Sequence, residues 1–407
     1  MTIQPPTITT ESRDDLHALY RHLHAAPELS MQEHATAALI DERMSDLGYE
    51  TFSCGGTGIV ATLRNGDGPV VAFRADTDGL PVAENTGLDY ASTARRTLRD
   101  GSEVPTMHAC GHDTHVTCAI GAAQLLAEAP GSWSGTVVFI FQPGEETSEG
   151  AAAMVADGLW DRAPRAEIVY GQHVWPGRAG QVEISSGPAM AAADSWEVTV
   201  YGRGGHGSQP QDTIDPVVLA AHMVVRIQSI VGREVSPLSS TVITIARFHA
   251  GLKENIIPSE AVFTVNVRNL DPDVREHVLA ALRRVIHAEA QASGAPLPSI
   301  TELNTFPALH NDPDATAALT TALGQALGPE NVIDSPPRMG SEDFGTLPDA
   351  LGVPGVYWFF GGFSDETVDG DDPVPTNHSP HFAPIIEPTL STGITAAYAA
   401  IMSRVGR

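Results

Sequence analysis

The chain has 407 residues, of which 42% are hydrophobic and 18% charged, ordinary globular material with enough length for two or three domains. Acidic residues number 50 against 23 basic ones, a formal net charge of -27, which argues against nucleic acid and anionic membranes as partners. Three cysteines are too few and too odd for a disulfide framework, residues 1–10 lack a basic segment followed by an apolar core, and no run of about 18 apolar residues occurs, so a cytoplasmic location is expected.

Helix-like apolar spacing covers residues 14–23 and 33–47, with Gly48 as a stop. Short β-branched apolar runs at 57–63, 69–74 and 136–141 predict strands. The alanine-rich stretch 112–128 predicts a helix closed by Pro130-Gly131. Strands alternating with helices predict an α/β fold, a sheet covered by helices on both faces with its chemistry at strand ends. Residues 187–193 are small and predict a hinge. Beyond them come strand 195–201, helix 214–231, strands 239–246 and 261–267, helix 274–292 and a short strand near 299–303. That order, β-α-β-β-α-β, is a compact α+β unit. The chain returns with helix 315–327, strand 353–360 and helix 388–403. The expected layout is therefore 1–186 and 306–407 around an inserted 187–305. The acidic loop 364–372 reads as a solvated insertion, and Cys54 and Cys118 as inert thiols.

Chemistry concentrates in residues 107–115, where Cys110 and three imidazoles fall within one short stretch. Further ligand types follow apolar runs: Glu145-Glu146 after 136–142, and His173 after Ile168-Val169-Tyr170. His378 sits in a loop between Asn377 and Ser379. A thiolate, imidazoles and carboxylates together suit a divalent ion such as zinc, manganese or cobalt. Two adjacent carboxylates on a turn project differently, so one can bind metal while the other faces a substrate water. The residue types alone do not say which does which.

Read in order, the motifs at 21–30, 74–81, 108–113, 142–146, 171–176, 204–207, 255–258, 340–344 and 378–380 resemble those of the M20 metallopeptidase family. The resemblance is to its amidohydrolase branch of aminoacylases, hippurate hydrolases and auxin-conjugate hydrolases. It implies a mixed-sheet α/β/α, zinc-peptidase-like catalytic domain with an inserted ferredoxin-like lid and dimerisation domain, hence a homodimer. It implies Cys110, His112, Glu146, His173 and His378 as ligands for one or two divalent ions, zinc or manganese first, cobalt or nickel also suited. Glu145 becomes the general base for a metal-activated water, and Asp78 the group that orients a ligand histidine. Asp76 stands where the wider family has a histidine ligand, and Cys110-Gly111-His112 compensates. His206 is expected to stabilise an oxyanion from the lid, often in the partner subunit's site. Asn255 and Arg268 are expected to hold the substrate's free carboxylate. His24 and Asp113 lie in motifs but read as structural hydrogen bonding near the site. The implied reaction is hydrolysis of the amide bond of an N-acyl-L-amino acid to a carboxylic acid and an amino acid. A carboxypeptidase or dipeptidase on the same site is the alternative, and a non-catalytic metal-binding scaffold a further one. The absence of a Gly-x-Ser-x-Gly elbow argues against a serine hydrolase.

Overall fold

The computed structural model describes residues 8–407, so most of the segment expected to lack a leader lies outside the described residues. Local chemistry sets where several helices begin. Thr9 caps helix Thr10–Ala25 by accepting the Ser12 amide at 3.1 Å. Asp215, Asp271 and Asp312 cap helices Pro216–Glu234, Pro272–Ala292 and Pro313–Leu327, each with proline in the first turn. There the carboxylate accepts otherwise unpaired amides, and proline has no amide to waste.

The chain divides into two compact units. The first runs to Gly187 and resumes at His310–Pro336 and Asp343–Arg407. It is built on an eight-stranded sheet in the order Glu50–Cys54, Gly58–Asn65, Gly135–Gln142, Val70–Asp76, Ile168–Arg178, Gly355–Phe363, Val182–Ile184, Val332–Asp334. The four strands from Gly135–Gln142 to Gly355–Phe363 run parallel to one another, whereas Glu50–Cys54 and Gly58–Asn65 join antiparallel. The mixed α/β architecture expected from the sequence is present. Val71, Phe73 and Ala75 pack into an apolar core with helices Thr10–Ala25, His112–Glu128 and Thr389–Val405. By strand alternation the intervening Arg74 faces the other way, where it meets Asp343, and the Ala151 amide bonds the same carboxylate.

The second unit comprises Pro188–Leu309 and Pro337–Glu342. Its antiparallel sheet has the order Thr241–Ala250, Glu260–Asn269, Ala192–Tyr201, Ser299–Phe306. Helices Pro216–Glu234 and Pro272–Ala292 share one core with it, including Trp196, Phe263, Ile227 and Leu282. Chain order is β-α-β-β-α-β, a ferredoxin-like arrangement.

Two local expectations are corrected. The stretch 187–193, expected as a hinge, contains the boundary between the units after Gly187; Gly187–Met190 and Ala192–Tyr201 are strands there, and Ala191, Ala192 and Ala193 are buried. Segment 337–342 belongs to the second unit because the Ala191 amide bonds the Arg338 and Gly340 carbonyls and the Arg338 amide bonds the Ala189 carbonyl. The acidic loop is more than a solvated insertion: it holds helix Asp365–Val368, and Asp365 and Asp369 accept Arg178 at 2.6 and 2.8 Å.

Phe139 sits in the middle of the large sheet, fully buried, with the rings of Tyr49 and Phe73 at 5.7 and 5.9 Å. Phe139→Ala is expected to cost the first unit about 3–5 kcal/mol in urea unfolding; a loss under about 1 kcal/mol would contradict close packing there.

Candidate metal centre

The parallel strands deliver chemistry at their carboxyl ends, where such sheets leave room for ligands. Strand Val70–Asp76 ends at Asp76, in register with Gln142, and Asp78 follows two residues later. Strand Gly135–Gln142 leads into a short 3-10 turn, Glu145–Thr147. Strand Ile168–Arg178 carries His173, paired with Phe359. Helix His112–Glu128 starts on His112 after Gly111, whose φ is 81°. A Cβ at Gly111 would lie 2.4 Å from Val174 Cγ1, so only glycine lets Cys110 and His112 approach this strand.

The ligand atoms of Cys110, His112 and His173 lie within 4.8 Å of one another, as do those of Cys110, Glu146 and His378, and of His112, Glu145 and Glu146. Cys110, His112 and Glu146 each belong to two of these groups, which joins them into one cluster. His112 and His173 each have Nδ1 held by a neighbouring group. His112 Nδ1 faces Asp78 Oδ1 at 3.2 Å, which leaves Nε2 to point at Asp76 Oδ2 (3.6 Å) and Glu146 Oε1 (3.9 Å). His173 Nδ1 donates to the Val174 carbonyl at 2.6 Å, which leaves Nε2 3.4 Å from Cys110 Sγ. His378, a non-glycine residue at φ 68°, brings Nε2 to 3.3 Å from Glu146 Oε1. Asp78 also accepts the amides of Glu145 and Glu146 at 3.2 and 3.1 Å and the Ser30 hydroxyl at 2.6 Å. It thus fixes a histidine and the carboxylate turn together.

Whether a cation fits can be judged from these groups. His112 Nε2 and Glu146 Oε1 are buried and have no hydrogen-bond partner among the described residues. An orphan of this kind costs about 1–3 kcal/mol and calls for an explanation. The Cys110 thiol is pushed far up by burial and by Glu146, Glu145 and Asp76, so without a cation it keeps its proton. Burial would depress His112, but Asp76, Asp78 and Glu146 outweigh it and raise its pKa to about 10. His173 is held well below its ordinary value by burial and then by His115. Sulfur, imidazole and carboxylate donors in one buried pocket suit a divalent transition ion.

Sequence reasoning left several supporting residues without roles. Burial opposes ionisation of Asp76, yet Arg74, His112 and His115 hold it well below the usual carboxylate range. Arg74 Nη1 bonds Asp76 at 2.6 Å, its Nε bonds Gln142 at 2.9 Å and its Nη2 bonds Asp343 at 3.1 Å. His115 Nδ1 bonds Asp76 Oδ1, and its Nε2 accepts the Val174 amide at 2.8 Å. Asn377 Nδ2 reaches the Cys110 carbonyl at 3.3 Å. In the sequence Asp76 stood out at a strand end and by the resemblance, and His115 as one of the imidazoles of 107–115, each without this partner; Arg74 only opened the motif 74–81, and Asn377 was given no role. His24 is buried, with Nδ1 2.6 Å from Asp113 and Nε2 3.0 Å from Glu84, as structural hydrogen bonding would have it.

His206, Asn255 and Arg268 all lie in the second unit. His206 is exposed; its Nδ1 accepts the Ser208 amide at 3.1 Å, so Nε2 carries the proton of the neutral ring. The Asn255 carbonyl accepts the Gly207 amide at 2.9 Å, one residue beyond His206. Arg268 is half-buried, with Nε on Asn266 and Nη1 on the Met339 carbonyl, at 3.1 and 2.9 Å.

Comparison with known proteins places this constellation. The model of peptidase family M20/M25/M40 matches residues 72–403. The chain belongs to that family. It is 36% identical over 330 residues to a hippurate hydrolase of Campylobacter jejuni, covering 80% of this chain and 83% of the relative. It is 34% identical over 359 residues to thermostable carboxypeptidase 1 of Saccharolobus solfataricus, covering 86% of each. The crystal structure of the Bacillus subtilis YXEP protein, described as a dinuclear metal binding peptidase of the M20 family, superposes with a TM-score of 0.75 at 29% identity, over 96% of this chain and 98% of that one. The protein is thus a hydrolytic enzyme of the M20 family.

Metal uptake should release protons, because Cys110 and His112 hold theirs in the metal-free protein at neutral pH. Affinity for zinc is expected to rise with pH across 6 to 8, with about two protons released per site in calorimetry in buffers of differing ionisation enthalpy. A pH-independent affinity would contradict thiolate ligation.

Proposed function

We propose that this enzyme hydrolyses the amide bond of N-acyl-L-amino acids, with Glu145 as general base and Cys110, His112, Glu146, His173 and His378 holding one or two divalent ions. The observation that carries the reading is a second buried carboxylate, Glu145, within 4.8 Å of the ligand atoms of His112 and Glu146. A purely structural metal site has no use for it. Hippurate is an acylated glycine, so the hippurate hydrolase relative supports this substrate class.

Bound ions would polarise the acyl carbonyl and lower the pKa of the attacking water. Glu145 takes the water's proton as oxygen attacks the carbonyl carbon, then passes it to the leaving nitrogen as the C–N bond breaks. Asp78 keeps the Glu145 and Glu146 amides fixed while this happens. His206, its Nε2 proton fixed by the Ser208 amide, donates to the developing oxyanion. Asn255 and Arg268 receive the substrate's free carboxylate. The alternative, a carboxypeptidase or dipeptidase on the same site, is favoured by the carboxypeptidase relative of similar identity. The cell compartment that fits is the cytoplasm, where the three buried free cysteines stay reduced; among the described residues no helix is long and apolar enough to cross a membrane.

The test is hydrolysis of N-acyl amino acids and of dipeptides by protein stripped with chelator and reloaded with zinc or manganese. Activity should vanish on stripping and return with metal. Glu145→Gln should lower kcat about 10²–10⁴-fold while metal content is kept. Dipeptide cleavage without acyl-amino-acid cleavage selects the alternative, and turnover that survives complete metal removal sinks both.

The reading includes a homodimer through the second unit. Strand Thr241–Ala250 is an edge of its sheet and exposes Val242 and Phe248, and helix Pro216–Glu234 exposes Val218 and Val225. An unpaired apolar edge of this kind invites a second copy. Light scattering is expected to give twice 42.9 kDa, and to fall to that single mass when Phe248 and Val242 are both changed to Lys. A monomeric native protein at micromolar concentration would contradict it.

A further inference from the structure

The motif at residues 21–30 and the segment that follows it have no part in the chemistry above, yet they end beside the carboxylate turn. Glu33 is completely buried. Its Oε1 accepts the Met31 amide at 2.8 Å and the Gly144 amide at 2.9 Å, and its Oε2 accepts the Thr57 hydroxyl at 2.5 Å. No cation is among these partners. Burying a carboxylate on neutral donors alone is costly, and burial together with nearby Asp78 pushes its pKa up to about 7. A group held at such cost is expected to serve something beyond local packing.

What it serves is the backbone one residue before Glu145. Gly144 has φ 58°, and the turn Glu145–Thr147 starts from it. Met31 is itself in the left-handed region, at φ 63°, and packs so tightly on Gly144 that a Cβ there would lie 2.6 Å from Met31 Sδ. Glu33 accepts the amides of both left-handed residues. Ser30 acts from the other side, through Asp78, which holds the amides of Glu145 and Glu146. The turn is thus gripped twice by residues 30–33, once through each buried carboxylate.

We propose that Glu33 is a positioning residue that clamps the Gly144 amide and so aims the Glu145 carboxylate at the reacting water. The aim toward water rests on Glu145 being the general base; the clamp itself does not. Glu33→Ala leaves the Gly144 and Met31 amides without an acceptor. Glu33→Gln keeps an acceptor oxygen for both and turns its amide group toward the Thr57 hydroxyl, which can accept.

The experiment uses the full-length, metal-loaded protein and two readouts: exchange of the amide hydrogens of residues 144–149, within the 143–149 segment, and kcat and KM for an N-acyl amino acid. Glu33→Ala is expected to speed exchange in that segment about tenfold or more, and to lower kcat about 10–100-fold with KM within about twofold. Glu33→Gln is expected to restore most of both. If Glu33→Ala does not fold, Thr57→Val, which removes one donor, should give the same changes in smaller measure. Native exchange in the 143–149 segment of Glu33→Ala overturns the clamp. Faster exchange with unchanged kcat overturns the catalytic part of the proposal. A Glu145→Gln protein with full turnover would instead overturn the general-base reading, and the exchange result would still judge the clamp.

Discussion

A protein interior does not tolerate a thiol, several imidazoles and several carboxylates crowded together unless something balances them. Here Cys110, His112, His173, Asp76, Asp78 and Glu145 are all buried in one region of the first unit. Asp76 is balanced by Arg74 and two histidines. Cys110 is pushed toward the protonated state by burial and by the nearby carboxylates of Glu146, Glu145 and Asp76. His112 Nε2 and Glu146 Oε1 are buried without a hydrogen-bond partner among the described residues. A divalent ion answers all three defects at once, which is why the proposed metal site follows from electrostatics as well as from residue type.

The rest of the first unit can be seen as support for that cluster. Parallel strands bring Asp76, the Glu145 turn and His173 to the carboxyl-end side of the sheet, and the glycine at 111 lets a helix start against Val174. Each imidazole has its far nitrogen fixed: His112 by Asp78, His173 by the Val174 carbonyl, His115 by Asp76 and the Val174 amide. Partners of this kind set ring orientation and tautomer and tune what the near nitrogen can do. Asp78 carries the greatest share, since one carboxylate meets His112, Ser30 and the amides of Glu145 and Glu146.

Much of this was legible in the sequence, for physical reasons that differ by residue. The parallel strands are short, β-branched and apolar, so Val70–Asp76 and Gly135–Gln142 announce themselves. Residue types marked 107–115, Glu145-Glu146 and His173 as ligand candidates, the family resemblance implied Cys110, His112, Glu146 and His173 among them, and these side chains fall into groups whose ligand atoms lie within 4.8 Å of one another. Apolar spacing puts the helix starts at 214, 274 and 315, two residues from Pro216, Pro272 and Pro313, because the Asp-Pro cap and not the apolar stripe sets where each helix begins. Strands Val182–Ile184 and Val332–Asp334 have only three residues each, too few to show a period. Glu33 was read as the start of a helix; it is the residue before helix His34–Asp46, and its side chain turns away to Gly144. The roles of Arg74 and Asn377 depend on partners about 70 to 270 positions away, as in Arg74–Asp343 and Asn377–Cys110, and no local pattern carries such information.

The central claim is a divalent ion held by the Cys110 thiolate beside Glu145. Cobalt(II) substitution tests it most directly, since cobalt bound to thiolate gives a near-ultraviolet charge-transfer band that oxygen and nitrogen ligands do not. The account predicts that band in the cobalt-loaded protein, its loss in Cys110→Ser, and its retention in Glu145→Gln. A cobalt-loaded protein whose spectrum and metal content are the same in Cys110→Ser as in the native chain would contradict it.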